Sequence, residues 1–147
     1  MKLAISEVAR GDVPVVVHLL AEMDNEPPMP LARAERLFRE MAQYPDYHCC
    51  LAWDGDTPVA TFTLLTFDAL VHGGSREALL DGVVVTAARR GQGIGRATIQ
   101  EAMRLTASAG CYKLALSSHI KRKEAHRFYE SLGFAQHGIS FAIVTSV

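Results

Sequence analysis

The sequence predicts an α/β (α+β) protein with a mixed central sheet of six to seven strands and about four helices. Stretches of strand character alternate with stretches of helical period, in the order β α α β β β α β α β β. A glycine-rich turn joins a strand to a helix, and another strand follows, which indicates a β-α-β crossover. The 147 residues contain no repeat or linker, so we expect a single domain over residues 1–147.

The N-terminal half is predicted to contain a strand, two helices and a hairpin. Asp12 can cap the first helix, and Pro14 fits its first turn. Prolines within residues 27–30 require a loop, and Asp54-Gly55-Asp56 is typical of a hairpin turn. The predicted elements are strand 2–8, helix 12–23, helix 31–43, strand 47–53 and strand 58–67.

The C-terminal half is organised around the glycine-rich turn. An apolar run over residues 79–85 precedes the turn, and polar residues four apart follow it on one face of a predicted helix. Gly110 and Gly133 are suited to end helices. The predicted elements are strand 77–86, helix 93–109, strand 111–117, helix 122–132 and strand-like sequence from Phe134 onward.

Composition excludes several classes of function. The net charge of −1 gives no general attraction to nucleic acid or to membranes. The apolar run over residues 13–21 is interrupted by Pro14 and His18 and is too short to span a bilayer. Three cysteines without metal-ligand spacing argue against disulfides and against a metal site, and we expect a reducing, cytoplasmic location.

Residues 89–96 read Arg-Arg-Gly-Gln-Gly-Ile-Gly-Arg and are the most informative stretch. A glycine-rich turn into a helix groups main-chain N–H groups at the positive end of the helix dipole, which suits a phosphate or pyrophosphate. Glycines permit positive φ and close approach of a ligand, and the arginines add charge. We expect a phosphorylated cofactor to bind here.

Two nucleotide-binding motifs do not fit this turn. A P-loop needs Lys followed by Ser or Thr after its last glycine, and neither follows Gly95. A dinucleotide fingerprint needs a third glycine, but Arg96, Ala97 and Thr98 occupy the following positions. A structural turn with solvated arginines remains an alternative interpretation, and a binder of ATP or NAD is another.

The turn resembles the acetyl-CoA signature of the GNAT superfamily of N-acetyltransferases. That signature is Arg or Gln, two residues, Gly, one residue, then Gly or Ala, and residues 90–95 match it. A second match is Glu124-Ala125-His126-Arg127-Phe128-Tyr129-Glu130-Ser131-Leu132-Gly133-Phe134, which is similar to the family's late helix. The element order also fits, so the resemblance covers essentially the whole chain.

The resemblance implies that acetyl-CoA lies in a cleft between two splayed parallel strands, 77–86 and 111–117. The histidines and carboxylates show no ligand-like spacing, so we expect no metal. The pyrophosphate would contact the turn, and the pantetheine would pair with the main chain of the preceding strand, one N–H of which would hold the developing oxyanion. The implied cofactor residues are Val83, Val84, Val85, Arg90, Gly91, Gln92, Gly93, Ile94, Gly95 and Arg96.

The family reaction is direct attack of a neutral amine on the thioester. By resemblance, Tyr129 is the general acid that protonates the leaving thiolate, although a core tyrosine is an alternative interpretation. Asp81 is the candidate base, although a polar residue on a solvent-exposed face of a strand is an equally good interpretation. Glu77, His72 and His119 are weaker candidates for the base. Where relatives often carry Asn, this chain has Arg122, which could reach the CoA phosphates.

The acceptor is expected to be a primary amine of a small molecule or peptide. Glu22, Asp24 and Glu26 lie between the first two helices, where acidic side chains would attract a cationic amine or simply be hydrated. Residues 109–113 resemble a stretch of amino-sugar-phosphate N-acetyltransferases. A catalytically silent acyl-CoA-binding module is the alternative function, and the resemblance makes a homodimer a possible assembly.

Overall fold

The computed structural model describes residues 2–146, with the exception of the side chain of Asp24. The chain divides into two compact units, Met1–Leu116 and Ser117–Val147. The regular elements are β1 (Ala4–Glu7), α1 (Val13–Asp24), α2 (Leu31–Met41), β2 (Tyr47–Asp54), β3 (Thr57–Ala69), β4 (Ser75–Val85), α3 (Ile94–Ser108), β5 (Lys113–Ala115) and α4 (Lys123–Ser131). The predicted mixed α/β class and the four predicted helices are confirmed for the described residues.

The sheet lies in the N-terminal unit, with the strands in the order β1-β2-β3-β4-β5. The pairs β1–β2, β2–β3 and β3–β4 are antiparallel, and hairpin connections join β2 to β3 and β3 to β4. β5 is parallel to β4, as a crossover through α3 requires. The predicted β-α-β crossover around the glycine-rich turn is therefore confirmed.

Helices cover both faces of this sheet. The apolar side chains of α1 and α2 pack on one face with Leu51 of β2, which is fully buried. On the other face Ile94, the first residue of α3, packs against Ala52, Val59 and Ala60. These clusters fix α1 and α3 on opposite faces of the sheet at β2 and β3.

The C-terminal unit contains α4 and the residues that follow it. Over residues 132–146 the structure has neither helix nor strand, so the expectation of strand-like structure from Phe134 onward was wrong. Within residues 2–146 the sheet has five strands, which also corrects the predicted six to seven. Side chains such as Phe141 (89% exposed) alternate with smaller ones, but period-two sequence makes a strand only where a neighbouring strand takes up its main-chain groups.

Candidate active site

The two halves of β4 have different neighbours. In the first half, Glu77, Ala78 and Leu79 pair with β3 on one side and with β5 on the other. Beyond Leu79 the pairing with β5 ends, while the pairing with β3 continues to Val85. The second half of β4 thus has one edge without a strand neighbour among the described residues, and this edge leads directly into the glycine-rich turn.

A β-bulge lies within the second half of β4. Thr63 of β3 pairs with Asp81, and Thr61 pairs with Val84, so Phe62 alone faces Gly82 and Val83. Gly82 adopts a φ of +59°, which explains why glycine occupies the bulge. The Asp81 carboxylate accepts a hydrogen bond from the Gly82 N–H at 2.8 Å. The bulge lies beyond Leu79, the last residue of β4 that pairs with β5, in the part of the strand that has one open edge.

The main chain of Val85 faces the open edge. The N–H of Thr86 donates to the carbonyl of Val59 at 2.9 Å, and main-chain groups alternate between the two edges of an antiparallel strand. The peptide groups of Val85 therefore lie on the opposite edge. The Val85 carbonyl accepts a bond from Nε of Arg90 at 3.2 Å. An extended ligand could pair with this edge as an added strand would.

The glycine-rich turn has the backbone geometry of an anion site. Gly91 and Gly93 have φ of +76° and +81°, conformations that other residues adopt only with strain. Along the described chain, no main-chain hydrogen bond takes up the N–H of Gly91, Gln92 or Gly93. Gly93 is the N-cap of α3 and supplies no side-chain cap. The adjacent N–H groups at the start of α3 add to this cluster of donors.

Side chains from outside the turn hold it in place. The guanidinium of Arg89 forms an ion pair with Asp54 at the end of β2 and donates through Nε to the side-chain oxygen of Gln92 at 3.0 Å. Glu22 of α1 accepts one hydrogen bond from the Thr86 hydroxyl at 3.2 Å and another from the N–H of Ala87 at 3.3 Å. The turn is therefore anchored to two separate elements before its first glycine.

The predicted cofactor residues of α3 occupy three kinds of position. Ile94 is 1% exposed and anchors the helix in the core, so its side chain cannot face a ligand, although its N–H can. Gly95 lies half-buried in the first turn. Arg96 is exposed on the same turn. A role of these residues toward a diphosphate would thus come from main-chain donors and from the Arg96 charge.

Asp81 lies on the face of the sheet that α1 and α2 cover. Asp81 pairs with Thr63 of β3, and Thr63 pairs with Cys49 of β2, so the three side chains lie on one face of the sheet. Cys49 and the buried Leu51 are two residues apart in β2 and therefore also lie on the same face. Burial raises the pKa of the Cys49 thiol. Burial also raises the pKa of the Tyr47 phenol, and the charge of Asp81 raises it further. Asp81 is exposed, so an amine arriving from the side of α1 and α2 could reach its carboxylate.

Glu77, the weaker candidate base, is engaged elsewhere. Its carboxylate lies 3.0 Å from Nζ of Lys113 on β5, and its side chain is 13% exposed. The pair joins the two strands in the half of β4 where they are still hydrogen-bonded. This geometry favours a structural role for Glu77. Among residues 2–146 no group of three His, Cys, Asp or Glu side chains is arranged to hold a metal ion, and no helix is long and apolar enough to cross a membrane.

Tyr129 and Arg122 belong to the C-terminal unit. The ring of Tyr129 lies on α4 between Phe128, at 5.4 Å between centroids, and Phe134, at 5.8 Å. Burial raises the pKa of the Tyr129 phenol, while the charge of Arg122 partly lowers it. The phenol is therefore protonated at neutral pH, as a general acid must be. Arg122 is exposed at the N-cap of α4.

Sequence reasoning missed the residues that hold the turn. The sequence indicates attraction of an amine for Glu22 and a hairpin turn for Asp54, but no contact of either residue with the glycine-rich turn. Their contacts with the turn join residues 64 and 35 positions apart in the chain, and no local pattern reports a contact of that kind. A signal did exist for the bulge, because a glycine within an apolar strand often marks one. The side chain of Asp24 lies outside the described part of the chain.

An open strand edge that leads into an anion-binding turn defines a class of proteins able to hold an extended ligand that carries a diphosphate. Comparison with known families agrees with this class. The family described as "Acetyltransferase (GNAT) family" matches residues 17–134, and the chain belongs to that family. Its members use acetyl-CoA, and the protein is an acetyl-CoA-dependent N-acetyltransferase.

Individual relatives support the same family assignment. A probable glucosamine 6-phosphate N-acetyltransferase of Oryza sativa subsp. japonica is 30% identical over 132 residues, which cover 86% of this chain and 78% of the relative. A putative acetyltransferase from Agrobacterium tumefaciens has a solved structure with a TM-score of 0.89 and 31% identity, covering 97% of this chain and 99% of that one. A Bacillus halodurans structure described as a transcriptional regulator has a TM-score of 0.88 and 28% identity, covering 98% and 100% of the two chains.

Proposed function

We propose that the protein transfers the acetyl group of acetyl-CoA directly to a primary amine of a small molecule or peptide, with an amino-sugar phosphate as the first acceptor to test. The open edge of β4 and the turn that follows it support the cofactor part of this proposal. The resemblance of residues 109–113 and the relative described as a glucosamine 6-phosphate N-acetyltransferase support the acceptor. The family match spans parts of both compact units, which supports one catalytic domain over residues 1–147.

In this proposal the main chain binds the donor. The N–H groups of Gly91, Gln92, Gly93, Ile94 and Gly95 take the diphosphate, and the charges of Arg90, Arg96 and Arg122 assist them. The pantetheine pairs with the main chain of Val83, Val84 and Val85. An N–H near Val85 points toward the thioester carbonyl and stabilises negative charge on its oxygen as the amine attacks.

Two side chains complete the proton transfers. The amine nitrogen forms a bond to the carbonyl carbon, and the carbon–sulfur bond then breaks. Asp81, directly or through water, accepts the proton that the amine loses. Tyr129 donates its phenolic proton to the departing thiolate, and its raised pKa keeps that proton available at neutral pH. No covalent intermediate with the protein is needed.

The direct test is an acceptor screen. Protein and acetyl-CoA are incubated with glucosamine 6-phosphate, glucosamine, spermidine or a lysine peptide, and free thiol and product mass are measured. Glucose 6-phosphate, which has no amine, is the matched control. We expect thiol release that depends on an amine and a product 42 mass units heavier, about the mass of one added acetyl group less a proton. Thiol release that is the same with and without amines would contradict the proposal.

Replacement of Tyr129 by Phe tests the acid. The ring contacts with Phe128 and Phe134 persist, because the change removes the hydroxyl alone. We expect turnover at saturating substrates to fall at least about tenfold, at the low end of the range for acid catalysis, with the Kd of CoA nearly unchanged. Tyr112→Phe, at an exposed tyrosine, is the matched control. Unaltered turnover of Tyr129→Phe would remove this residue from the mechanism.

A further inference from the structure

A carboxylate of α1 reaches the segment that joins β4 to the glycine-rich turn. Glu22 lies in the last turn of α1 and uses both carboxylate oxygens: Oε1 accepts from the Thr86 hydroxyl at 3.2 Å, and Oε2 accepts from the Ala87 N–H at 3.3 Å. Thr86 is also held by its N–H bond to Val59 of β3. The first residues of the turn are thus fixed between a helix and a strand.

We propose that Glu22 is a positioning residue for acetyl-CoA, an inference that rests on the proposed binding of the CoA diphosphate at the turn. Glu22 sets the path of the chain at Thr86 and Ala87, just beyond the open edge of β4. The direction in which the following N–H groups of the turn point depends on that path. Preorganised donors bind an anion more tightly than donors that must first be ordered, because the cost of ordering falls on binding.

The surroundings of Glu22 separate this role from a purely structural one. Its side chain is exposed beside an open cavity of about 530 Å³ that His18, Asn25 and Pro58 help to line. Hydrogen bonds at exposed positions contribute little to folding, because water replaces them in the unfolded chain. A change at Glu22 should therefore affect the turn and its ligand more than it affects the stability of the fold.

The negative charge of Glu22 opposes the binding of an anion at the turn. A negative charge near an anion site disfavours a diphosphate, so removal of the charge alone would tighten CoA binding. Removal of the hydrogen bonds would weaken it. Glu22→Gln separates the two effects by sign, since Gln keeps one acceptor oxygen and the same length but loses the charge and the second acceptor.

The sequence suggested a different role for Glu22, the attraction of a cationic amine. That role and the positioning role affect different substrates. An amine-attracting carboxylate would change the KM of the amine, whereas a positioning residue changes the KM of acetyl-CoA. The contacts with Thr86 and Ala87 engage both carboxylate oxygens of Glu22, which favours the positioning role.

The experiment compares Glu22→Gln, Thr86→Val and the double variant with the unmodified protein. The measurements are the KM of acetyl-CoA, the KM of the amine, kcat at saturation, the Kd of CoA by calorimetry, and Tm. We expect each single change to raise the acetyl-CoA KM and the CoA Kd about three- to tenfold, with kcat within about twofold. The double variant should lose less than the product of the two, because both changes act on the same contact between residue 22 and residue 86. Thr86→Ser keeps the hydroxyl and should restore most of the affinity.

Glu101→Gln is the matched control, because it removes one carboxylate and an ion pair with Arg104 on the helix that follows the turn. It should leave both KM values unchanged. Tighter or unchanged CoA binding in Glu22→Gln would overturn the inference, as would a rise confined to the amine KM or a fall in Tm without a change in CoA affinity. Gly93→Asp, measured in parallel, tests the cofactor site itself. If Gly93→Asp weakens CoA binding and Glu22→Gln does not, the positioning role fails and the proposed function stands.

Discussion

The first and second halves of β4 form a comparison within a single strand. Residues Glu77–Leu79 pair on both edges, and Glu77 also forms an ion pair with Lys113 of the neighbouring strand. Residues 81–85 pair on one edge and contain the bulge at Gly82. The two halves differ little in apolar character, so side-chain hydrophobicity does not distinguish them.

The difference lies in where the main-chain hydrogen bonds go. In the first half they are satisfied within the sheet, which stabilises the fold and leaves nothing for a ligand. In the second half one edge is open, and the turn beyond it adds N–H groups without main-chain partners among the described residues. Val85 is partly buried, and main-chain groups in such positions are normally paired, so this edge is suited to pair with an extended ligand. Changes in the second half should therefore affect binding, and changes in the first half should affect stability.

The largest expected effect is that of Gly93→Asp. Gly93 has a φ of +81°, and an aspartate there would add both backbone strain and a negative charge at the proposed diphosphate site. We expect the Kd of CoA to rise between about tenfold and a hundredfold, which corresponds to about 1.4–2.7 kcal/mol. Calorimetry with CoA measures this change directly.

Gly110→Asp is the control for backbone strain. Gly110 follows α3, has a φ of +78°, and an added Cβ would meet no heavy atom within 4 Å, as at Gly93. It should lower Tm while leaving CoA affinity unchanged. If both variants weakened CoA binding equally, strain rather than the anion site would explain the result, and the comparison of the two halves would lose its main support.

The next largest expected effect concerns Asp81, in the second half of β4. Asp81→Asn keeps an oxygen that can accept the bond from the Gly82 N–H, so the bulge should persist. Loss of the base should lower kcat/KM about tenfold near neutral pH. The loss should shrink as pH rises, because more of the amine is then already neutral before it attacks, and solvent bases can take the one proton that it still has to lose. A rate profile over pH for both proteins measures this, and parallel profiles would assign Asp81 to the bulge alone.

Arg76, in the first half of β4, is expected to affect stability and not ligand binding. Its guanidinium donates to the Ala109 carbonyl at 3.0 Å, to Thr66 at 3.0 Å, and to the carboxylates of Asp46 and Asp68. Those carboxylates raise the pKa of Arg76. Arg76→Gln should lower Tm by several degrees because these bonds join separate segments of the N-terminal unit. The acetyl-CoA KM should stay unchanged in steady-state assays at 25 °C; a large rise in that KM would show that the two halves are not independent.

The sequence predicted the helices well for physical reasons. Helical period, prolines near helix starts and glycines after helix ends are local signals, and the observed bounds of α1 and α3 lie within one residue of those expected. The glycine-rich turn was predicted for the same reason, because positive φ at Gly91 and Gly93 is a requirement of the local backbone. Strand composition also located β2, β3 and β4.

Features that depend on distant partners were not predictable in this way. A period-two pattern could not show whether the residues after Phe134 have a neighbouring strand. Nor could spacing show where β4 and β5 stop pairing, although the family resemblance implied a splayed pair. The anchors of the turn, Glu22 and Asp54, come from other elements of the unit. Tertiary contacts decide such features, and a single sequence does not encode them locally.

The smallest expected effect is that of Asp54→Asn, which removes the second of the two contacts that anchor the turn. Asp54 forms its ion pair with Arg89 at a partly exposed position, where such pairs contribute little and are screened by salt. Arg89 also keeps its bond to Gln92 inside the turn. Asp54→Asn should therefore raise the acetyl-CoA KM by no more than about threefold, and the rise should diminish at high salt. A greater effect than that of Glu22→Gln would mean that the charge on Arg89, rather than the path of the chain at Thr86, determines how the turn meets its anion.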